Sequence, residues 1–313
     1  MTRRFAVLSF DLDTPARGTG AVSSAGQFDA VVSGAYSNTL TRLLALLERL
    51  SVPAIFYVVA GDLRDTARAA VISAAVRRGH EIGNHSLSHD RALVSAPEGV
   101  FGADLAESTS IIESVTGARP VSYRMPGAVL RPGPLAALSR AGYRCDSSLN
   151  AAPLYNAAKR MRAVFGGVDS APVQEFSASR APVEPYRPDA GDVFSVVADG
   201  RGILEYPLTP MPYAGLPFMN YFLSRMPERA ALFLAGRTCA NRSLVTLTAH
   251  DHEFAAPGDF TCGLPGGMAS RHALMPLDER MRRFSSLIEM MKADFEFTTP
   301  SAHSALSGVA GGL

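Results

Sequence analysis

The sequence alternates short apolar runs of strand character with helical patterns from one end to the other. The predicted strands lie at residues 5–10, 53–60, 81–85, 120–124, 143–149, 203–208, 244–249 and 295–299. Helical periodicity fills most of the intervals, as at 66–78, where an Ala-rich pattern ends at Gly79. Such alternation predicts a parallel sheet covered by helices. The number of repeats favours a distorted (β/α)7–8 barrel, with an open doubly wound sheet as the alternative.

One domain accounts for residues 1–300 of the 313, because single α/β barrels commonly reach about 250 residues. Residues 150–200 have weaker periodicity and several prolines, which indicates an insertion or long loops. Small residues and glycines dominate 301–313, and we expect a flexible tail there.

Charge and cysteine content exclude several classes of protein. Thirty basic and 29 acidic residues give a net charge of +1, which argues against a binder of nucleic acid or anionic membranes. No apolar stretch approaches the ~18 residues of a membrane span. The three cysteines form no CxxC pair, and Asp11 ends the first apolar run too early for a secretion signal. These features predict a cytoplasmic protein without disulfides; its oligomeric state stays open.

Polar side chains follow the predicted strands at the point where each strand ends. They are Asp11, His85, Arg124 and His250, while Asp146 lies within the fifth strand. In a barrel of parallel strands the carboxyl ends gather at one mouth, where the functional site is built. Residues that are about 240 positions apart in sequence would therefore meet in one cleft.

His85 and His89 are four residues apart, which on a helical turn would bring both imidazoles to one metal ion. Zinc needs a third protein ligand, and an aspartate from another strand end could supply it. Asp11 and Asp13 can have different roles at such a metal site: one carboxylate binds the metal while the other takes a proton from water. Two unrelated loop histidines would be the simpler explanation of the spacing.

Three further residues have chemistry that suits the same mouth. Arg124 can pair with a carboxylate and keep it ionised. Gly127 allows close approach of its backbone amide to an oxyanion. His250 can protonate a leaving group, although spacing alone does not separate it from His252. His80, His272 and His303 have no partner at a useful spacing and are predicted to be structural or on the surface.

Taken together, four segments resemble the motifs of the polysaccharide deacetylases, the NodB-like carbohydrate esterase family 4. They are Ser9-Phe10-Asp11-Leu12-Asp13, His85-Ser86-Leu87-Ser88-His89, Arg124-Met125-Pro126 and the apolar strand that ends in His250. The resemblance covers roughly 5–150 and 203–300. It departs from the family after Pro126, where Gly127 and Ala128 replace the usual Tyr-Gly. The chain also has no Trp for the acyl pocket.

The resemblance implies a distorted barrel in which Asp13, His85 and His89 bind a divalent metal, zinc first and cobalt, nickel or manganese otherwise. Asp11 would be the general base, Arg124 its orienting partner and His250 the general acid. Pro126, Gly127 and Asp146 would contact substrate.

The implied reaction is hydrolysis of an N-acyl group, acetyl or formyl, on an amino sugar or its conjugate. The expected cytoplasmic location favours a small nucleotide- or lipid-linked substrate. Two alternatives remain: a cyclic ureide or imide hydrolase of the same fold, and a sugar-binding barrel without turnover. The complete set of polar residues argues against the last.

Overall fold

A computed structural model describes residues 3–13, 25–165, 173–197, 200–213, 215–259 and 275–306. Eight strands within these residues form one sheet. Their bounds are β1 Phe5–Leu12, β2 Ile55–Val58, β3 Glu81–Asn84, β4 Ser122–Tyr123, β5 Cys145–Asp146, β6 Leu204–Glu205, β7 Leu244–His250 and β8 Glu296–Thr298. Each coincides with a predicted strand, and most are shorter than predicted.

The strands pair in the order β6-β5-β4-β3-β2-β1-β7, all in parallel, and β8 pairs with the first residues of β1. The order runs from β1 to β6 without reversing, so the sheet lacks the switch point of a doubly wound fold. The prediction of a distorted α/β barrel is confirmed: the sheet is a curled half-barrel with helices outside.

The edge strands β6 and β7 are joined through the segment between them rather than by a ladder. Thr209 O accepts a hydrogen bond from Phe218 N, and Phe218 O accepts one from Thr248 N. Thr209 Oγ1 also accepts from Thr246 N in β7. These contacts fill the gap between the edges with irregular backbone, which explains the distortion of the barrel.

Helices cover the outside of the sheet. Those of the described residues are α1 Ala25–Leu50, α2 Thr66–Arg77, α3 Glu98–Thr116, α4 Pro132–Arg140, α5 Pro153–Phe165, α6 Asn220–Leu223, α7 Glu228–Cys239, α8 Leu277–Lys292 and α9 Pro300–Leu306. In α1, buried Leu40, Leu43, Leu44 and Leu47 recur at helical spacing and pack into the main core. None of the described helices combines the length and the apolar character that crossing a bilayer requires.

The helix predicted at 221–236 is two helices, α6 and α7, because Pro227 lies between them as the N-cap of α7. Proline lacks the N–H that a continuous helix would need at that position. The predicted insertion at 150–200 contains α5 and a 3-10 helix at Phe176–Arg180.

The tail predicted from residue 301 begins as the helix α9, and residues 307–313 lie outside the described part. Tertiary contacts hold this helix in place: His303 Nδ1 lies 3.0 Å from the Tyr206 hydroxyl, and its ring packs edge-on against Phe5. Ser301 donates to Glu81 Oε2 at 2.7 Å. The flexible tail predicted for 301–313 is therefore wrong for residues 301–306, which are helical.

His80 links stability to pH. Its Nδ1 accepts a hydrogen bond from Ala54 N at 3.2 Å, its ring packs edge-on against Phe56, and burial lowers its pKa to about 4. The folded pKa lies below the unfolded value of about 6.5, so the stabilisation is present above pH 6.5 and is lost as pH falls towards 4.

Between pH 7 and pH 5 we expect His80 to account for a loss of about 2 kcal/mol in the free energy of unfolding. Urea titrations of the wild type and of His80→Gln, whose amide oxygen can accept the same bond, measure this loss as the difference between their pH dependences. Equal pH dependences in the two proteins would contradict the assignment.

Candidate active site

A buried ion pair between Asp11 and Arg124 joins the ends of β1 and β4. Arg124 Nη1 lies 2.5 Å from Asp11 Oδ1, and both side chains are enclosed. Burial opposes ionisation of Asp11, but the Arg124 guanidinium outweighs it and keeps the pKa of this carboxyl below its usual value. Asp11 is therefore ionised at neutral pH and can accept a proton.

The remaining donors of Arg124 fix its orientation. Nη2 donates to Ser9 Oγ and to Ser147 Oγ, and Nε donates to the Ser147 carbonyl. The guanidinium also stacks 4.2 Å from the centre of the Tyr57 ring. Arg124, which follows β4, thus contacts residues of β1 and β2 and the residue after β5. These contacts fix the guanidinium and, through it, the carboxylate of Asp11.

The loop of His85–His89 does not form the helical turn that the spacing predicts, and this expectation is wrong. Ser86 and His89 have positive φ angles of 71° and 59°. The turn is closed by side chains: Asn84 Oδ1 accepts from Ser86 N, Ser86 Oγ accepts from His89 N, and Asp104 accepts from Leu87 N. These bonds favour a tight loop over a helix.

The loop nevertheless brings the two imidazoles together, with ring centres 4.9 Å apart. Asp13, just after β1, completes a group with His85 and His89 in which the ligand atoms lie within 4.8 Å of one another. Asp13 Oδ2 is 3.4 Å from His89 Nε2. The structure thus brings together the three residues predicted to bind metal.

Two observations show that this group fits a divalent cation. His85 Nδ1 contacts the Arg124 carbonyl at 2.7 Å, which fixes the tautomer and leaves Nε2 as a ligand atom. Buried Asp13 Oδ1 has no hydrogen-bond partner among the described residues. Two imidazoles and one carboxylate are a common ligand set for catalytic zinc. Burial also raises the pKa of Asp13 to about 7, although His250 opposes the shift, so a cation would displace a proton.

His250 lies at the end of β7, with its Nε2 3.9 Å from Asp13 Oδ1. Its Nδ1 lies 3.2 Å from Glu253 Oε1, which also accepts from His250 N. Asn220 donates to the other oxygen of Glu253. Burial alone would lower the pKa of His250, but Asp13 and Glu253 outweigh burial and raise it to about 10. His250 is therefore a proton donor with a fixed orientation.

Glu253 was not found from the sequence, although an acid three residues beyond a strand-end histidine was a visible signal. The separation suits a 3-10 turn, and Asp251–Phe254 forms one in which Glu253 accepts from the His250 backbone and its imidazole. The strand pattern ends before this turn, and periodicity alone does not indicate a reversal of the chain towards His250.

Pro126 and Gly127 lie in the turn after β4. Pro126 is buried, and Gly127 has a φ of +82°, with Arg91 close enough that a Cβ would lie 3.1 Å from its Nε. Lys159 from α5 donates to the Gly127 carbonyl. This turn borders the mouth; contact with substrate and an oxyanion role for Gly127 stay predictions.

Asp146 is not a member of the group formed by Asp13, His85 and His89. Its carboxyl accepts from Ser148 Oγ at 2.7 Å, and across the sheet it pairs in register with Glu205, which is also fully buried. Burial raises the pKa of Asp146 to about 6 and that of Glu205 well above its usual value. Two buried carboxyls with raised pKa values favour sharing one proton. A substrate contact for Asp146 stays a prediction.

The family model for polysaccharide deacetylases matches residues 18–145. The structure resembles that of a Mycobacterium smegmatis protein assigned to the polysaccharide deacetylases, with a TM-score of 0.58 and 19% identity over 97% of this chain and 90% of that one. It also resembles the Xyl-CE4 domain of a multidomain xylanase from the hindgut metagenome of Trinervitermes trinervoides, with a TM-score of 0.50 and 12% identity over 98% and 92% of the chains.

A third structure with the same fold is the 4-alpha-glucanotransferase of Thermococcus litoralis, with a TM-score of 0.58 and 13% identity. The likeness covers 98% of this chain and 40% of that one. At these identities the structures show a shared fold and not a shared reaction. No curated protein matches the chain significantly.

The fold and the Asp-His-His group define the class as a NodB-like α/β barrel with a candidate metal site. Residues 18–145 match the family model for polysaccharide deacetylases, and the fold is that of a solved structure assigned to the same family. The family resemblance found in the sequence is confirmed.

Replacing Arg124 by methionine should lower the free energy of unfolding by about 3–5 kcal/mol, because Asp11 would remain buried without its partner. Adding Asp11→Asn should recover part of that loss, since the uncompensated charge is gone. Urea denaturation of the two single variants and the double variant gives the coupling energy. Strictly additive losses would contradict a direct ion pair.

Proposed function

We propose that the protein is a metal-dependent hydrolase that removes an N-acyl group, acetyl or formyl, from an amino sugar or its conjugate. The observation that carries the proposal is the convergence of Asp13, His85 and His89 between the Asp11–Arg124 pair and the His250–Glu253 pair. A base whose ionised form is favoured and an acid whose protonated form is favoured lie at one candidate metal site, at the ends of the neighbouring strands β1 and β7. The match of residues 18–145 to the polysaccharide deacetylase family model supports the same chemistry.

Asp13, His85 and His89 would hold the cation, and a divalent cation there would act as a Lewis acid and lower the pKa of water. Asp11 accepts the proton of the attacking water, since Arg124 keeps its carboxylate ionised. His250 donates a proton from Nε2 to the departing amine, while Glu253 stabilises the imidazolium through Nδ1. The two proton transfers thus belong to different residues on neighbouring strands β1 and β7.

We infer that the substrate is a small nucleotide- or lipid-linked amido sugar in the cytoplasm, on the sequence argument given above. The family name points instead to polysaccharides, so a panel of substrates should also include polymer fragments for comparison. Purified protein loaded with Zn²⁺ is offered N-acetylated and N-formylated amino sugars, their nucleotide conjugates, chitin and peptidoglycan oligomers, and cyclic ureides. Release of acetate or formate is measured.

Acid release from an amido sugar supports the proposed reaction, and preference for oligomers would reverse the order of substrates within it. Ring opening of a cyclic ureide without acid release would assign the alternative hydrolase function. Binding of sugars without any turnover by the zinc-loaded protein would leave only a sugar-binding barrel.

Asp11→Asn should reduce kcat by about 10²–10⁴-fold, because the amide cannot take the proton from water. The variant should still bind Zn²⁺, since Asp13 and the two imidazoles remain. Asp278→Asn, on the exposed first turn of α8, is the matched control and should behave as the wild type. Loss of bound zinc from Asp11→Asn, measured by isothermal titration calorimetry, would show that Asp11 and not Asp13 is the ligand.

His89→Gln should bind Zn²⁺ at least tenfold more weakly than the wild type, because one of three protein ligands is lost. Activity should fall in parallel and recover partly at high zinc concentration. Calorimetry and activity are compared over one zinc series. Unchanged zinc affinity in this variant would exclude His89 as a ligand.

A further inference from the structure

The tripeptide that follows β7 contains two residues to which the proposed reaction gives no task. His250 is the proposed acid, whereas Asp251 and His252 are enclosed neighbours in the same 3-10 turn. Asp251 Oδ1 accepts from His252 N at 2.7 Å and lies 3.7 Å from His252 Nδ1. Burying an imidazole and a carboxylate costs free energy unless each group has a polar partner or a ligand.

These two residues form a second group with Asp13. Their ligand atoms and one oxygen of Asp13 all lie within 4.8 Å of one another, as in the first group. Asp13 is therefore shared by two groups, one with His85 and His89 and the other with Asp251 and His252.

The two oxygens of Asp13 have different neighbours. Oδ2 lies 3.4 Å from His89 Nε2, in the first group. Oδ1 is buried without a hydrogen-bond partner among the described residues, and it lies 3.9 Å from His250 Nε2, on the side of β7. A carboxylate that belongs to two ligand groups has an oxygen for each of two cations, and in two-metal sites such cations lie about 3.5–4 Å apart.

We propose that Asp13 bridges two divalent cations, the second of which is bound by Asp251 and His252. The inference rests on the proposed function, because it takes the Asp13, His85 and His89 site as the first. The ligand class is a first-row divalent ion such as Zn²⁺, Co²⁺ or Mn²⁺, which oxygen and imidazole donors together accept. The second ion binds more weakly than the first, because the negative charge of Asp13 is then shared between two cations.

The stoichiometry of bound metal tests the proposal. The full chain, freed of metal with a chelator, is dialysed against a Zn²⁺ series, and bound zinc is counted by mass spectrometry. We expect two equivalents for the wild type and one for the double variant Asp251→Asn, His252→Phe. Asparagine keeps the acceptor for the His252 amide, and phenylalanine keeps a ring without nitrogen. Thermal unfolding checks that the variant is folded.

His303→Phe is the matched control, since it removes an imidazole far from Asp13 in the fold, and it should keep two equivalents. His89→Gln should retain one equivalent, bound at the second site. In the Mn²⁺ form, electron paramagnetic resonance should show an exchange-coupled pair in the wild type and isolated ions in the double variant.

The possible outcomes separate this inference from the proposed function. One equivalent in the wild type, lost in His89→Gln, leaves the proposed hydrolase intact and overturns the second site. Two equivalents that survive in the double variant also overturn it, because the second ion then lies elsewhere. No bound zinc at all refutes both.

Discussion

The ion pair of Asp11 with Arg124 is the constraint on which the rest of the site depends. A buried arginine with five donors must find acceptors on every side, and here Asp11, Ser9 and Ser147 supply them from β1 and β5. The same residue holds His85 through its carbonyl. Arg124 therefore positions the proposed base Asp11 through its side chain and the proposed metal ligand His85 through its carbonyl.

Neighbouring charges shift the pKa values of Asp11 and His250 in opposite directions. Arg124 lowers the pKa of Asp11, whereas Asp13 and Glu253 raise the pKa of His250. Neighbouring charges thus favour the ionised form of Asp11 and the protonated form of His250, which are the forms that the proposed hydrolysis needs in its base and its acid. The difference arises from neighbours within 4 Å and not from residue type, so it is a property of the assembled sheet.

Much of this arrangement could be predicted because parallel strands end at a common edge. Asp11, His85, Arg124 and His250 were identified as strand-end residues, and the register that pairs Asp11 with His250 places them side by side. The predictions that failed concern local backbone. The loop of His85–His89 is closed by Asn84 and Asp104 in a conformation with positive φ angles, which spacing in sequence cannot reveal. Helix α9 likewise depends on Tyr206 and Phe5.

The sequence alone determined the alternation of elements, the parallel sheet and the residue types available at its mouth, because periodicity and strand ends are local properties. Tertiary structure decided the rest: the turn that brings Glu253 to His250, the pairing of Asp146 with Glu205, and the membership of Asp13 in two ligand groups. Each of these depends on side chains from separate strands meeting at hydrogen-bond distance. No pattern along a single chain encodes such a distance, since it is fixed only when the whole sheet has curled.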